Sequence, residues 1–150
     1  MQLVTQWLGD IEYQEQDVVS FPEGIPGFEN EKAFILIPAD EDSLFFYLQS
    51  VHNPDVCLLL TTPFLFCADY SVDLHDEELS RLDNPDAIEK IAIFTIVTAA
   101  ENFKESTTNL MAPIIINTDK KIGLQFIPVT SDYNIKHPLF SQPAVKGEGD

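Results

Sequence analysis

Short apolar or alternating runs, each stopped by a turn residue, recur along the whole of this 150-residue chain and leave it little to fold into except strands. The runs predict strands at 3–8, 18–21, 34–37, 45–50, 56–61, 68–74, 88–97, 114–117 and 123–129, with ten prolines and six glycines for the turns. Alternation is cleanest at 68–74, where Tyr70, Val72 and Leu74 are separated by Ser71 and Asp73, so this strand is expected to have one wet and one dry face. One short helix is expected at 75–82. His75-Asp76-Glu77-Glu78-Leu79-Ser80-Arg81-Leu82 places acids at the positive end of a helix dipole and Leu79 and Leu82 on one side. Asn84-Pro85-Asp86 then breaks it. So many strands must close or stack, because exposed edges invite pairing with other chains. The expectation is an all-β, compact single-domain antiparallel fold, barrel-like with a sandwich as second choice, over residues 1–143, with 144–150 a flexible tail.

Charge narrows the partners. Twenty-five acidic side chains face eight basic ones, a net charge of -17. Residues 1–60 hold 11 acids and one base, 61–100 hold 8 and 2, and 101–150 hold 6 and 5, so 16 of the 17 excess negative charges fall in the first 100 residues. Such a body repels phosphate backbones and anionic membranes and steers basic partners toward itself. The same charge also serves solubility and blunts sheet edges, and composition alone leaves both readings open. No run approaches the roughly 20 apolar residues of a membrane span, and Met1-Gln2-Leu3-Val4-Thr5-Gln6 lacks the basic start of a secretory signal. A cytoplasmic protein is expected, with Cys57 and Cys67, set among apolar neighbours, as inert core thiols.

Catalytic constellations are missing. His52, His75 and His137 stand singly, as loop or surface residues do, with no metal-binding spacing. Phosphate-loop, dinucleotide and nucleophile-elbow patterns are absent from the sequence. The acid triplets Asp40-Glu41-Asp42 and Asp76-Glu77-Glu78 lack the spaced ligands of a calcium loop and read as solvated charge. Lys120-Lys121, the one basic pair, reads as a hairpin turn after Asn117-Thr118-Asp119. No cofactor and no direct nucleic-acid contact are expected.

Non-catalytic motifs are more distinctive. Gly24-Ile25-Pro26-Gly27-Phe28-Glu29 combines residues that fix unusual backbone angles with two large apolar side chains. Such a loop is rigid, and Phe28 either braces the core or presents a surface. Leu48-Gln49-Ser50 ends a strand, and Asn109-Leu110-Met111-Ala112-Pro113 leads into Ile114-Ile115-Ile116-Asn117. Met111 suits a core gap and a binding surface equally.

These motifs, with Asp69-Tyr70, Gly123-x-Gln125, Tyr133 and His137-Pro138-Leu139, occur in an order and at a spacing that resemble the flagellar assembly factor family, FliW, over residues 1 to 140. One departure is Thr62-Pro63, where family members often carry Asp-Pro. The resemblance implies a protein without enzymatic activity that acts by binding. Family members take the RNA-binding translational repressor CsrA off flagellin mRNA and are themselves sequestered by flagellin, a partner switch that needs only two exclusive complexes of comparable affinity. CsrA must carry basic surface to hold RNA, so an acidic partner suits it. Direct masking and binding beside the RNA path both fit; the resemblance suggests the second, with acids within about 8 Å of the path repelling phosphates.

The expected partner-binding surface is Asp69, Tyr70, Ser71 and Asp73 on an acidic strand, together with Asn109, Leu110 and Met111, while Gly24, Pro26, Gly27 and Phe28 form a structural loop. In the bland alternative Tyr70 and Leu110 are core and the acids merely solvated. Two other functions fit the composition: a flagellin chaperone without action on CsrA, and a nucleic-acid mimic that binds basic proteins broadly.

Overall fold

Alternate residues of the central strands turn to one interior. Val19 and Phe21, Phe34 and Leu36, Phe46 and Leu48, Leu58 and Leu60, Phe94 and Ile96, and Ile114 and Ile116 pack there together, as a side-chain period of two requires of strands with one buried face. The computed structural model describes residues 1–6, 8–39, 41, 44–128 and 131–140. In chain order the strands are β1 (Gln2–Val4), β2 (Asp10–Glu12), β3 (Val18–Ser20), β4 (Ala33–Pro38), β5 (Phe45–Ser50), β6 (Cys57–Thr61), β7 (Ile91–Thr98), β8 (Thr107–Thr108), β9 (Ile114–Asn117), β10 (Ile122–Gln125) and β11 (His137–Pro138). One α-helix, α1 (Asp76–Arg81), lies between β6 and β7.

Seven strands, in the order β7-β6-β5-β4-β3-β10-β9, close into a barrel because β7 pairs with both β6 and β9. Each of these pairings is antiparallel except one: β10 meets β3 in parallel at Ile122 and Ser20. The barrel expectation holds and the sandwich does not, while the purely antiparallel expectation is corrected at this seam. A short sheet of β8 and β11 extends β7 beyond the barrel. The interior is filled with side chains, as a small barrel demands, and Phe21 meets Phe34 edge-on at 5.3 Å. Phe21 has room because Gly123 stands opposite it, where a Cβ would come within 2.7 Å of the ring.

A second apolar layer coats the barrel. Val72, Leu74 and Leu82 pack on Ile91, Ile93, Ile115, Ile122 and Leu124, the outward residues of β7, β9 and β10. Asn117 Nδ2 donates to the Leu82 carbonyl at 2.8 Å and anchors the end of α1. Its Oδ1 accepts from Asp119 and Lys120, building the expected β9–β10 turn.

The expected strand at 68–74, which was to carry Asp69, Tyr70, Ser71 and Asp73, is not a strand. Residues 70–75 run without turn or bend and their burial alternates as foreseen, yet they lie in no ladder; apolar contact with the barrel's outer face holds them instead. The run 3–8 also breaks. Thr5 Oγ1 accepts from the Leu8 N–H and donates to the Gly9 carbonyl, turning β1 back onto β2. Ile88–Lys90 forms a 3-10 turn before β7, and β10 stops at Gln125 as Phe126 N–H turns to the Pro113 carbonyl. Cys57 and Cys67 are half-buried rather than core, with desolvation pushing the Cys57 thiol up to about 11. His52 and His75 are exposed, and His137 is half-buried on β11. Trp7, Val129, the acids Asp40 and Asp42 and the 144–150 tail lie outside the described residues.

Candidate functional site

Beside the coat, an open groove of about 1100 Å³ lies among the glycine-proline loop, the 70–81 segment and residues 110–113, 125–128 and 131–133. Its first wall is the glycine-proline loop. Ile25-Pro26-Gly27-Phe28 forms a turn with Pro second and Gly third, closed by the Phe28 N–H on the Ile25 carbonyl at 2.6 Å, and Gly27 at φ 92° supplies the angle that a type II turn requires. Ile25 is fully buried and Phe28 is exposed, so the loop braces the core through Ile25. Gly24 has φ 70°, and a Cβ there would lie 2.5 Å from the Glu29 carbonyl oxygen. Only glycine lets the two ends of the loop touch. The Glu29 carboxylate accepts from the Gly27 N–H at 3.1 Å, and such backbone donors hold it below the ordinary carboxylate range.

The floor and second wall join segments far apart in sequence. Tyr70, 4% exposed, donates from its hydroxyl to the Leu110 carbonyl at 2.6 Å and meets the Tyr133 ring at 4.7 Å. Burial, with smaller contributions from Tyr133 and Cys67, pushes the Tyr70 phenol up, so it stays a neutral donor. The Tyr133 hydroxyl accepts from the Ser71 N–H at 3.1 Å. Asn109 Oδ1 accepts from the N–H groups of Met111 and Ala112, holding the turn that offers Met111 to the groove. Exposed Ile127 adds further apolar lining.

The rim is acidic. Glu23, Glu29, Asp73, Glu77, Glu78 and Asp132 line the groove against a single Arg81 among the described residues. Arg81 is already engaged, its Nη2 lying 2.7 Å from Glu23 Oε1. Glu78 is spent on capping α1, accepting from the His75 N–H at 2.9 Å. The other acids are exposed, and low-dielectric walls focus their field into the groove. Among the described residues no three His, Cys, Asp or Glu side chains converge to hold a metal ion.

Of the residues expected from sequence, Tyr70, Ser71, Asp73, Leu110 and Met111 meet in this groove, with Gly24 and Pro26 on its far wall. Asp69, Asn109, Gly27 and Phe28 lie off its lining. Tyr70 and Leu110 are buried, as the bland alternative holds, yet they also form the groove floor. Glu77 and Arg81 stand in the expected helix, Glu77 there as solvated charge, and neither was assigned to the site; Glu23 and Asp132 were not singled out, though Glu23 adjoins the glycine-proline loop and Asp132 adjoins Tyr133.

Fold and site together define a small closed β-barrel with an apolar-floored, acidic-rimmed surface groove. The chain matches the FliW protein family over residues 2–139. It is 47% identical over 140 residues to the flagellar assembly factor FliW of Syntrophomonas wolfei, covering 93% of this chain and 89% of that one. It is 41% identical over 144 residues to the flagellar assembly factor FliW of Clostridium botulinum, covering 96% and 100%. A crystal structure of the flagellar assembly factor FliW superimposes with TM-score 0.88 at 38% identity, over 95% of this chain and 99% of that one. The chain belongs to the flagellar assembly factor FliW family.

Proposed function

We propose that this flagellar assembly factor acts by binding alone, in the cytoplasm, as a partner switch between CsrA and flagellin. It docks CsrA in the acidic groove and relieves repression of flagellin mRNA, and flagellin competes for it. The observation that carries this reading is the rim: five exposed carboxylates surround an apolar floor, and the one lining guanidinium is already paired with Glu23. A surface that grips RNA is basic, since its lysines and arginines neutralise phosphates and displace the counterions condensed on the RNA. It is the natural complement of this groove, whereas RNA itself is repelled by it.

The test is calorimetric titration of CsrA into this protein at low and physiological salt, with Asp73→Lys as comparison. Affinity that falls with salt, and falls again in Asp73→Lys, supports docking at the groove; salt-insensitive binding unaffected by Asp73→Lys removes it. A second reading, a flagellin chaperone without action on CsrA, draws on a separate surface. The rings of Phe45, Phe66, Phe103 and Phe140 form a chain of contacts at 5.6–6.2 Å, with Phe103 44% exposed and Phe64 and Leu65 exposed on the same segment as Phe66. That reading requires tight flagellin binding and no change in CsrA–RNA affinity.

A further inference from the structure

Residues 71–74 have the sequence pattern of a strand and the burial pattern of a strand, but no ladder. Val72 and Leu74 pack down on the barrel's outer face, while Ser71 and Asp73 stay exposed. The Ser71 N–H reaches the Tyr133 hydroxyl, but among the described residues the backbone N–H and C=O groups of Val72, Asp73 and Leu74 have no protein partner. Ser71, Val72 and Asp73 line the groove. A pre-straightened segment with unpaired main-chain groups, anchored by alternate side chains, thus borders an acidic, apolar-floored channel.

We infer that this edge takes an extended, lysine- or arginine-bearing segment of a partner protein as an added strand. The inference rests on the groove being the docking site proposed above, and it specifies how the partner is held. Charge complementarity sets the partner's composition, since Glu29, Asp73, Glu77 and Asp132 face it as exposed carboxylates. Backbone chemistry sets its conformation. A helix satisfies its own main chain, so docking one here covers the groups at 72–74 without pairing them, at about 1–3 kcal/mol for each one buried. An extended segment pairs those on the edge it meets, either Val72 and Leu74 or Asp73, since successive residues direct their main-chain groups to opposite edges. It gains affinity from the main chain and specificity from alternate side chains.

The experiment uses isotope-labelled full-length protein and unlabelled full-length CsrA as probe, followed by NMR. Strand addition gives interchain backbone NOEs to the amides of Val72, Asp73 or Leu74 and slows their hydrogen exchange by at least about tenfold. Shifts at Tyr70, Asp73 and Met111 without those NOEs, and with exchange at 72–74 unchanged, overturn strand addition and leave the groove as docking site. Shifts confined to other surfaces, or no complex, overturn both.

Discussion

The Tyr70 hydroxyl donates to the Leu110 carbonyl oxygen at 2.6 Å, inside the protein and across 40 positions of sequence. This bond fastens the extended segment 70–75 to the turn before β9, and so sets the spacing of groove floor and wall. Tyr70→Phe keeps the ring against Tyr133 but leaves a buried carbonyl without its donor. The expected loss is about 1–3 kcal/mol, read as a lower urea midpoint with unchanged slope, together with weakened CsrA binding as the Leu110–Met111 turn loosens.

Burial of the same phenol makes stability alkali-sensitive. The folded state favours the neutral phenol, so the folded Tyr70 titrates above the unfolded value of 10.0. Its stabilisation is complete below pH 10 and is lost as pH rises from there through the folded value. The expected outcome is a urea midpoint that falls more steeply as pH rises above about 10 in the natural protein than in Tyr70→Phe, where this contribution is absent.

Two glycines in one loop are expected to differ. Gly27→Ala meets open space and suffers only the strain of φ 92°, about 1–2 kcal/mol. Gly24→Ala adds a clash with the backbone of Glu29, which nothing flexible can relieve, and roughly 3 kcal/mol or more is expected. Thermal denaturation of the two variants checks the order.

Changes of charge at the rim are expected to act in opposite directions according to sign. Glu77→Lys and Asp132→Lys replace exposed carboxylates lining the groove, and each is expected to weaken CsrA binding by roughly five- to tenfold at physiological salt with little effect on fold. Arg81→Gln releases the Glu23 carboxylate from a pair whose own contribution to stability is small, about 0–1 kcal/mol at this exposure. Its expected effect is tighter CsrA binding, by about two- to fivefold. Calorimetry on the three variants measures both directions.

The strands that build the barrel were legible in sequence because each carries its own period-two pattern: 45–50 and 114–117 coincide with β5 and β9. Pattern alone could not separate Tyr70-Ser71-Val72-Asp73-Leu74 from a laddered strand. Its alternation is real, but the apolar side chains cover the outside of a sheet instead of joining one. The pairs Thr107–Thr108 and His137–Pro138 are too short to show any period, and the β3–β10 closure rests on one long-range pairing. The groove's chemistry was half visible. Acidic bias and distinctive segments stand in the chain itself, while the convergence of Glu23, Asp73, Asp132 and Met111 on one channel is a product of closure.

The partner switch is tested most directly by titrating this protein into a preformed complex of CsrA with flagellin leader RNA, with and without added flagellin, and following RNA by mobility shift. The account predicts RNA release that flagellin reverses. RNA that stays on CsrA throughout, alongside tight binding of this protein to flagellin, would contradict it and leave a flagellin chaperone in its place.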